Sequence, residues 1–250
     1  GRFSLRSEAL APGKNGVLHL VPLHANGDVA DWRTREMMRY SYHVAEDGTP
    51  DLQSIQTRQA LEPVVEAIEQ GNDALARRRA GRVRGELAGA IAKALTDAAT
   101  PEQTPAEYRG KAEHQPITMF KPDAVSVGWA RPTFNRLPEA SVLLESSGKL
   151  FATGIYAHAP ARHEYSLGGQ WESFKGNVGI ATGHSGSVRF EIKGDGRQLW
   201  QSSVVRPDEI VSFKVDVKEV NQLELITSPT DDGTSNDWSL WLEPQLVRSR

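Results

Sequence analysis

The 250 residues include no cysteine, which excludes disulfide staples, thiolate metal sites and cysteine nucleophiles. The compartment stays open, because a chain of this length buries an adequate core without bridges. No apolar run approaches the ~20 residues needed to span a bilayer, and no signal peptide opens the chain at Gly1. A leader removed from a longer precursor is compatible with that. No Asn-x-Ser/Thr acceptor occurs. The net charge of −3 gives nucleic acid and anionic membranes no overall attraction, so neither is an expected partner. No pattern sets an oligomeric state.

What is present divides by composition. Residues 1 to about 50 carry a short apolar run, Val17–Leu23, among turn signals at Pro12-Gly13, Asn26-Gly27 and Asp47-Gly48. Over about 52–99 the period becomes helical. Leu52, Ile55, Leu61, Val64, Val65 and Ile68 share one face, and Gly71-Asn72 breaks the pattern. Leu75, Val83, Leu87, Ile91 and Leu95 form a second stripe, weakened by Gly81, Gly85 and Gly89 at ~1 kcal/mol each. An antiparallel helical pair is expected, packed on the rest of the chain. Residues 100–123, rich in Pro, Glu, Gln and Lys, read as a linker that closes an N-terminal region over 1–120.

Beyond position 121 the texture changes, and five of the six tryptophans lie there. Alternating segments recur at Ser187–Ile192, Ile210–Val217 and Gln222–Ile226, separated by Gly194-Asp-Gly196, Arg206-Pro-Asp208 and Pro229–Gly233. Short period-2 strands between turns predict an all-β sandwich or jelly roll over 121–250. The fold class expected for the whole chain is mainly β, with a smaller helical part in front.

Chemistry-bearing patterns are few. Gly183-His-Ser-Gly-Ser187 approaches a nucleophile elbow, but its fifth position is serine and it falls between strands, so it reads as a loop. His19, His24 and Asp28 lack any metal-site spacing. Arg77, Arg78, Arg79, Arg82 and Arg84 form a basic stripe, read as a solvated face or an intramolecular partner for carboxylates. No catalytic residue is assigned, and no enzyme activity is expected.

The C-terminal half resembles the NPCBM family of carbohydrate-binding modules, related to carbohydrate-binding module family 51. The resemblance runs over about 125–247. It is carried by Gly128-Trp129, "GIYAHAPARHEYSLGGQWESFKGNVGI", "GSVRFEIKGDGRQLWQSSVV", "VSFKVDV" and "NDWSLWLEP". It implies a galactose-binding-like jelly roll beside other modules, holding a glycan of galactose type, in an extracellular or periplasmic setting. The chain departs from many members at Ala181-Thr182, where acidic residues are frequent, and at Ser235-Asn236, where a histidine is. Residues 1–120 resemble no family.

A sugar site needs an aromatic face for the C–H side of a pyranose and planar polar groups for neighbouring hydroxyls. Tyr156, Trp171, Trp238 and Trp241 are candidates for the face; His158, Asp231, Asp232, Asn236 and Asp237 for the hydroxyls. The expected arrangement sets a Gly154–Pro160 loop, with Tyr156 and His158, opposite the Asp231–Trp238 segment. In such sandwiches aromatics also serve as core, and Asp231-Asp232-Gly233 also suits a turn. Cofactors are not expected, although Asp231, Asp232 and Asp237 supply the hard oxygen ligands a structural calcium ion takes. Four readings stay open: a glycan-binding module, a structural or interaction module that has lost its sugar, an accessory part of a larger glycan-active enzyme, and an enzyme with its chemistry in the N-terminal half or at the domain junction.

Overall fold

Alternation along the C-terminal strands is converted directly into two facing sheets. A computed structural model describes strands at 15–20, 38–44 and 50–51, and the chain over 53–97, 102–138 and 142–248. In chain order the elements are β1 (Asn15–Leu20), β2 (Met38–Val44), β3 (Pro50–Asp51), α1 (Gln53–Glu69), α2 (Asp73–Ala80) and α3 (Glu86–Thr96). Then come β4 (His114–Pro116), β5 (Ala124–Ser126), β6 (Leu144–Ser146), β7 (Lys149–Phe151), β8 (Gly154–Tyr156) and β9 (Ala161–Ser166). The last six are β10 (Ser173–Ile180), β11 (Val188–Gly194), β12 (Arg197–Gln201), β13 (Ile210–Asp216), β14 (Gln222–Pro229) and β15 (Ser239–Val247).

One five-stranded sheet runs β13-β10-β15-β4, with β8 also on β15; the other runs β12-β11-β14-β9-β5. Strands β9, β11 and β14 bury every second residue, as a half-covered antiparallel sheet must. The buried side chains fill the space between the sheets: Tyr165, Trp171, Phe174, Phe190, Ile192, Leu225 and Trp241. This is the sandwich that the alternation predicts. Trp171 and Trp241 are core, at 1% and 0% exposure, and take no part in a surface site.

The sandwich starts earlier than 121. Strand β4 adds to β15 with Gln115 opposite Leu246, and Ile117 and Phe120 of the turn that follows are fully buried. The stretch expected as a linker is therefore partly core. A three-residue edge strand ending in proline is too short to show alternation, and an edge is where a strand proline is tolerated.

Leu52 and the Ile55 side chain lie outside the described residues; the rest of the two helical stripes is buried or half-buried, but three helices carry it. The second stripe divides into α2 and α3 at residues 81–85, where Gly85 has φ 95°. Leu61, Val64, Ala67, Ala76, Ile91, Ala92 and Leu95 cluster with Leu143 and Leu150 of the β6–β7 hairpin. Ser54 Oγ donates to the Gly148 carbonyl at 2.7 Å, and Arg58 forms an ion pair with the buried Glu145. The helices thus dock on one hairpin of the sandwich. Strands β1, β2 and β3 form a small separate antiparallel sheet. His19 lies on β1, while His24 and Asp28 fall outside the described residues.

Candidate functional site

Strand β8 holds the first half of the segment expected as a loop. Its three residues are buried on both faces, so it leaves no alternation in the sequence. Ile155 and Tyr156 pair with Trp241 and Leu240 of β15, and the Tyr156 amide donates to the Thr133 carbonyl at 3.0 Å. Tyr156 is fully buried and offers no face to solvent. His158 follows β8, just before the cis Ala159–Pro160 peptide, and is nearly buried.

An aromatic cluster closes around these residues. Trp238 is half-buried, with its ring centroid 5.2 Å from Tyr156 and 5.1 Å from Trp129. His184 stacks flat on Trp238 at 4.2 Å and 14°, covering one of its faces. Trp129 lies 6.0 Å from His158 and is 43% exposed, a rare large apolar side chain left in solvent among the described residues. The free aromatic face therefore belongs to Trp129, with Trp238, Tyr156 and His158 as its support. Gly128 makes this possible: a Cβ there would sit 2.4 Å from the Ala159 carbonyl oxygen, so only glycine lets the two chains approach.

Burial lowers the pKa of His158, partly offset by its contact with the Ala159 carbonyl, so the ring is neutral at physiological pH. Nδ1 lies 3.0 Å from that carbonyl oxygen. With the hydrogen on Nδ1, the bond is made and Nε2 becomes an acceptor, suited to a hydroxyl donor.

Asp237 is entirely buried behind Trp238. Neither carboxylate oxygen has a hydrogen-bond partner among the described residues. Burial, with repulsion from Asp232, pushes its pKa up to about 6, opposed by the Ser187 backbone. The Gly183–Ser187 loop covers it so closely that a Cβ on Gly186 would meet Asp237 Oδ1 at 2.3 Å. The same loop presents His184.

Asp231 and Asp232 stand elsewhere. Both are exposed and line a separate polar cleft of about 350 Å³ with Ser185, Ser187, Arg206 and Thr230. Thr230 and Ser187 donate to Asp232 at 2.6 and 2.8 Å, holding its carboxyl below the usual range. The exposed Asn236 contributes its carbonyl, which accepts the amides of Gly186 at 3.2 Å and Trp238 at 2.8 Å. Of the candidates stated from the sequence, Tyr156, His158 and Trp238 come together; Asp237 is buried beside Trp238 in the chain, within electrostatic reach of Asp232, which with Asp231 lines the polar cleft. Among the described residues no three acidic or histidine side chains gather as a metal site.

Trp129 and His184 were absent from the sequence-based site. Trp129 had a signal, the Gly128-Trp129 pair that opens the resemblance. His184 had none, because its partner Trp238 is 54 residues away and only the fold joins them.

Residues 114–247 match the model of the NPCBM/NEW2 domain. The chain belongs to that family. Among solved structures it is similar to the second family 51 carbohydrate-binding module of Clostridium perfringens ZmpB, bound to GlcNAc and joined to its INT domains. That likeness has 21% identity and a TM-score of 0.50, over 54% of this chain and 31% of that one. A family 51 module of the Clostridium perfringens family 95 glycoside hydrolase, with methyl-galactose, matches at 21% identity and a TM-score of 0.49, over 54% of this chain and 99% of that one. Tandem family 51 modules of a Streptococcus pneumoniae family 98 glycoside hydrolase match at 16% identity and a TM-score of 0.49, over 61% and 52% of the two chains. No curated protein matches the chain. The NPCBM/NEW2 domain here is a galactose-binding-like β-sandwich preceded by helices, and no helix among the described residues is long and apolar enough to cross a membrane.

Proposed function

We propose that the NPCBM/NEW2 domain is a non-catalytic carbohydrate-binding module that takes a terminal sugar of a glycan onto Trp129. The observation that carries this is the convergence of an exposed tryptophan with Trp238, His158 and His184 at one end of the sandwich. A large aromatic face beside a neutral histidine acceptor is the pairing a pyranose requires, apolar on its C–H side and polar at its edge. The GlcNAc complex of the similar ZmpB module supports the reading. An extracellular or periplasmic setting, where free glycans are met, accords with it.

The helices contribute support to the β6–β7 hairpin rather than chemistry. Among the described residues no nucleophile is seen beside a base around Trp129, and the buried carboxyl of Asp237 is shut behind the Gly183–Ser187 loop. A second reading, an interaction module that has lost its sugar, is favoured by the separation of Asp231 and Asp232 from the aromatic cluster. Calorimetric titration with oligosaccharides ending in galactose, N-acetylgalactosamine or N-acetylglucosamine separates the two. Saturable binding to at least one is expected; heat-silent titrations with all three would give the lead to the interaction module.

A further inference from the structure

A second concave surface among the described residues is a groove of about 980 Å³ between α3 and the sandwich. Of the described residues, its rim carries Lys93, Lys121, Arg131 and Arg136 against a single carboxylate, Asp97, which Lys93 already pairs. Its floor is apolar and includes Phe134 and Met119, the latter 41% exposed. The four cations come from three separate stretches of chain, so the concentration of charge is produced by folding rather than by a run in the sequence. The whole chain is acidic, at −3, which makes the local excess more pronounced. Arg131 and Arg136 make no side-chain hydrogen bond or ion pair with a described residue.

The lining of the groove starts close to Trp129 along the chain. Arg131 follows Trp129 by two residues, so their α-carbons are within roughly 7.6 Å. The segment from Thr133 to Asn135 is strapped along β8, with the Tyr156 amide on the Thr133 carbonyl at 3.0 Å and the Asn135 amide on the Gly154 carbonyl at 2.7 Å. Strand β8 then leads to His158. A glycan that extends from Trp129 past Arg131 meets a trough with an apolar floor and cationic walls.

We infer that the glycan recognised by this module is anionic, its terminal sugar on Trp129 and a carboxylate or sulfate ester on a neighbouring residue of the glycan held by Arg131 and Arg136. Guanidinium forks match either group with paired N–H donors, and the apolar floor receives the C–H face of the same sugar. This rests on the sugar-binding reading above, and the test keeps the two apart.

Three disaccharide probes keep one terminal galactose: neutral N-acetyllactosamine as the parent, its form sulfated on the N-acetylglucosamine, and a form with glucuronic acid as the second residue. Calorimetry at low salt should find an acidic form bound about tenfold more tightly than the parent, the gain expected for a charge-assisted contact. Which acidic form gains distinguishes carboxylate from sulfate. The advantage should shrink as sodium chloride rises. It should vanish in Arg131→Gln/Arg136→Gln, which keeps its affinity for the parent. Arg131→Gln alone, at an exposed position, should lose part of it with an unchanged melting curve. Equal affinity of wild type for all three probes overturns the inference and leaves sugar binding standing. So does an acidic advantage that survives the double substitution, or polyglutamate binding as tightly as the acidic glycans. No binding of any probe overturns the inference, and sugar binding falls with it only where the titrations with galactose-, N-acetylgalactosamine- and N-acetylglucosamine-ended oligosaccharides are silent as well.

Discussion

The helices and the sandwich bury their cores in different currencies. The sandwich encloses Trp171, Trp241, Phe174 and Phe190, each at 1% exposure or less, between two sheets. Among the described residues the helical cluster has no aromatic side chain. It joins Ala67, Ala76 and Ala92 to Leu61, Val64, Ile91 and Leu95, then borrows Leu143 and Leu150 from the hairpin. Small side chains let helices approach closely but remove less apolar area from water, at ~25 cal/mol per Å². The helices therefore depend on the sandwich for completion. The dependence is polar as well, since Glu145 of the hairpin is buried against Arg58.

Removing the largest core side chain should break the sandwich first. Trp241→Ala is expected to cost ~3–5 kcal/mol and lower the melting temperature by roughly 6–20 °C. A small loss there would mean the sheets do not depend on their aromatic core. Next comes the junction. Arg58→Ala leaves Glu145 charged and buried, at ~3 kcal/mol, and adding Glu145→Gln should restore most of that in urea denaturation. If Arg58→Ala alters nothing, the helices are not docked through this pair. Leu61→Asp should lower the melting temperature of the whole chain, while Leu87→Asp, at a half-buried position, should lower it less. An unchanged curve for both would make the helices peripheral.

Smaller effects separate two buried titrating groups of the sandwich. Burial pushes the pKa of His163 down to about 4, and neither ring nitrogen has a hydrogen-bond partner among the described residues. The neutral ring is favoured by folding, so stability is expected to fall as pH drops from about 6.5 toward 4, and His163→Phe should flatten that slope. Asp237 has the opposite sign. Its pKa is raised to about 6, so the stability contributed by the neutral acid is present at low pH and lost as pH rises through 6. Asp237→Asn should gain on wild type above pH 6, by about 2–4 °C if the difference is ~1 kcal/mol. Melting curves of both variants between pH 4 and 8 check the two signs together.

The contrast between the regions also explains what could be read in advance. Strands β11 and β14 announced themselves because one face is buried and the other wet, and period 2 is the direct record of that. The helical stripes were legible for the same reason at period 3.6, although residues 81–85 were read through as helix when Gly85 leaves helical dihedrals. Strands β4 and β8 left no record. One is three residues at an edge, and the other is buried on both faces. Within the site, Tyr156, His158, Asp237 and Trp238 were accessible because the family motifs name them. Exposure was not: Tyr156 and Trp129 look alike as aromatics in a sequence, and only pairing with β15 buries the first while the close approach at Gly128 leaves the second in solvent. Asp231 and Asp232 sit seven and six residues before Trp238 yet line another cleft, because the turn carries them away from the aromatic face.

The central claim is that recognition belongs to the Trp129 cluster and not to the Asp231-Asp232 turn. Its most direct test is calorimetry of Trp129→Ala and Asp232→Ala, both at exposed positions, with whichever oligosaccharide binds wild type best. Loss of the Trp129 face should weaken binding about tenfold, equivalent to 1.4 kcal/mol, while Asp232→Ala binds as wild type does. The reverse pattern, Asp232→Ala crippled and Trp129→Ala unaffected, would contradict the account and move the site to the polar cleft.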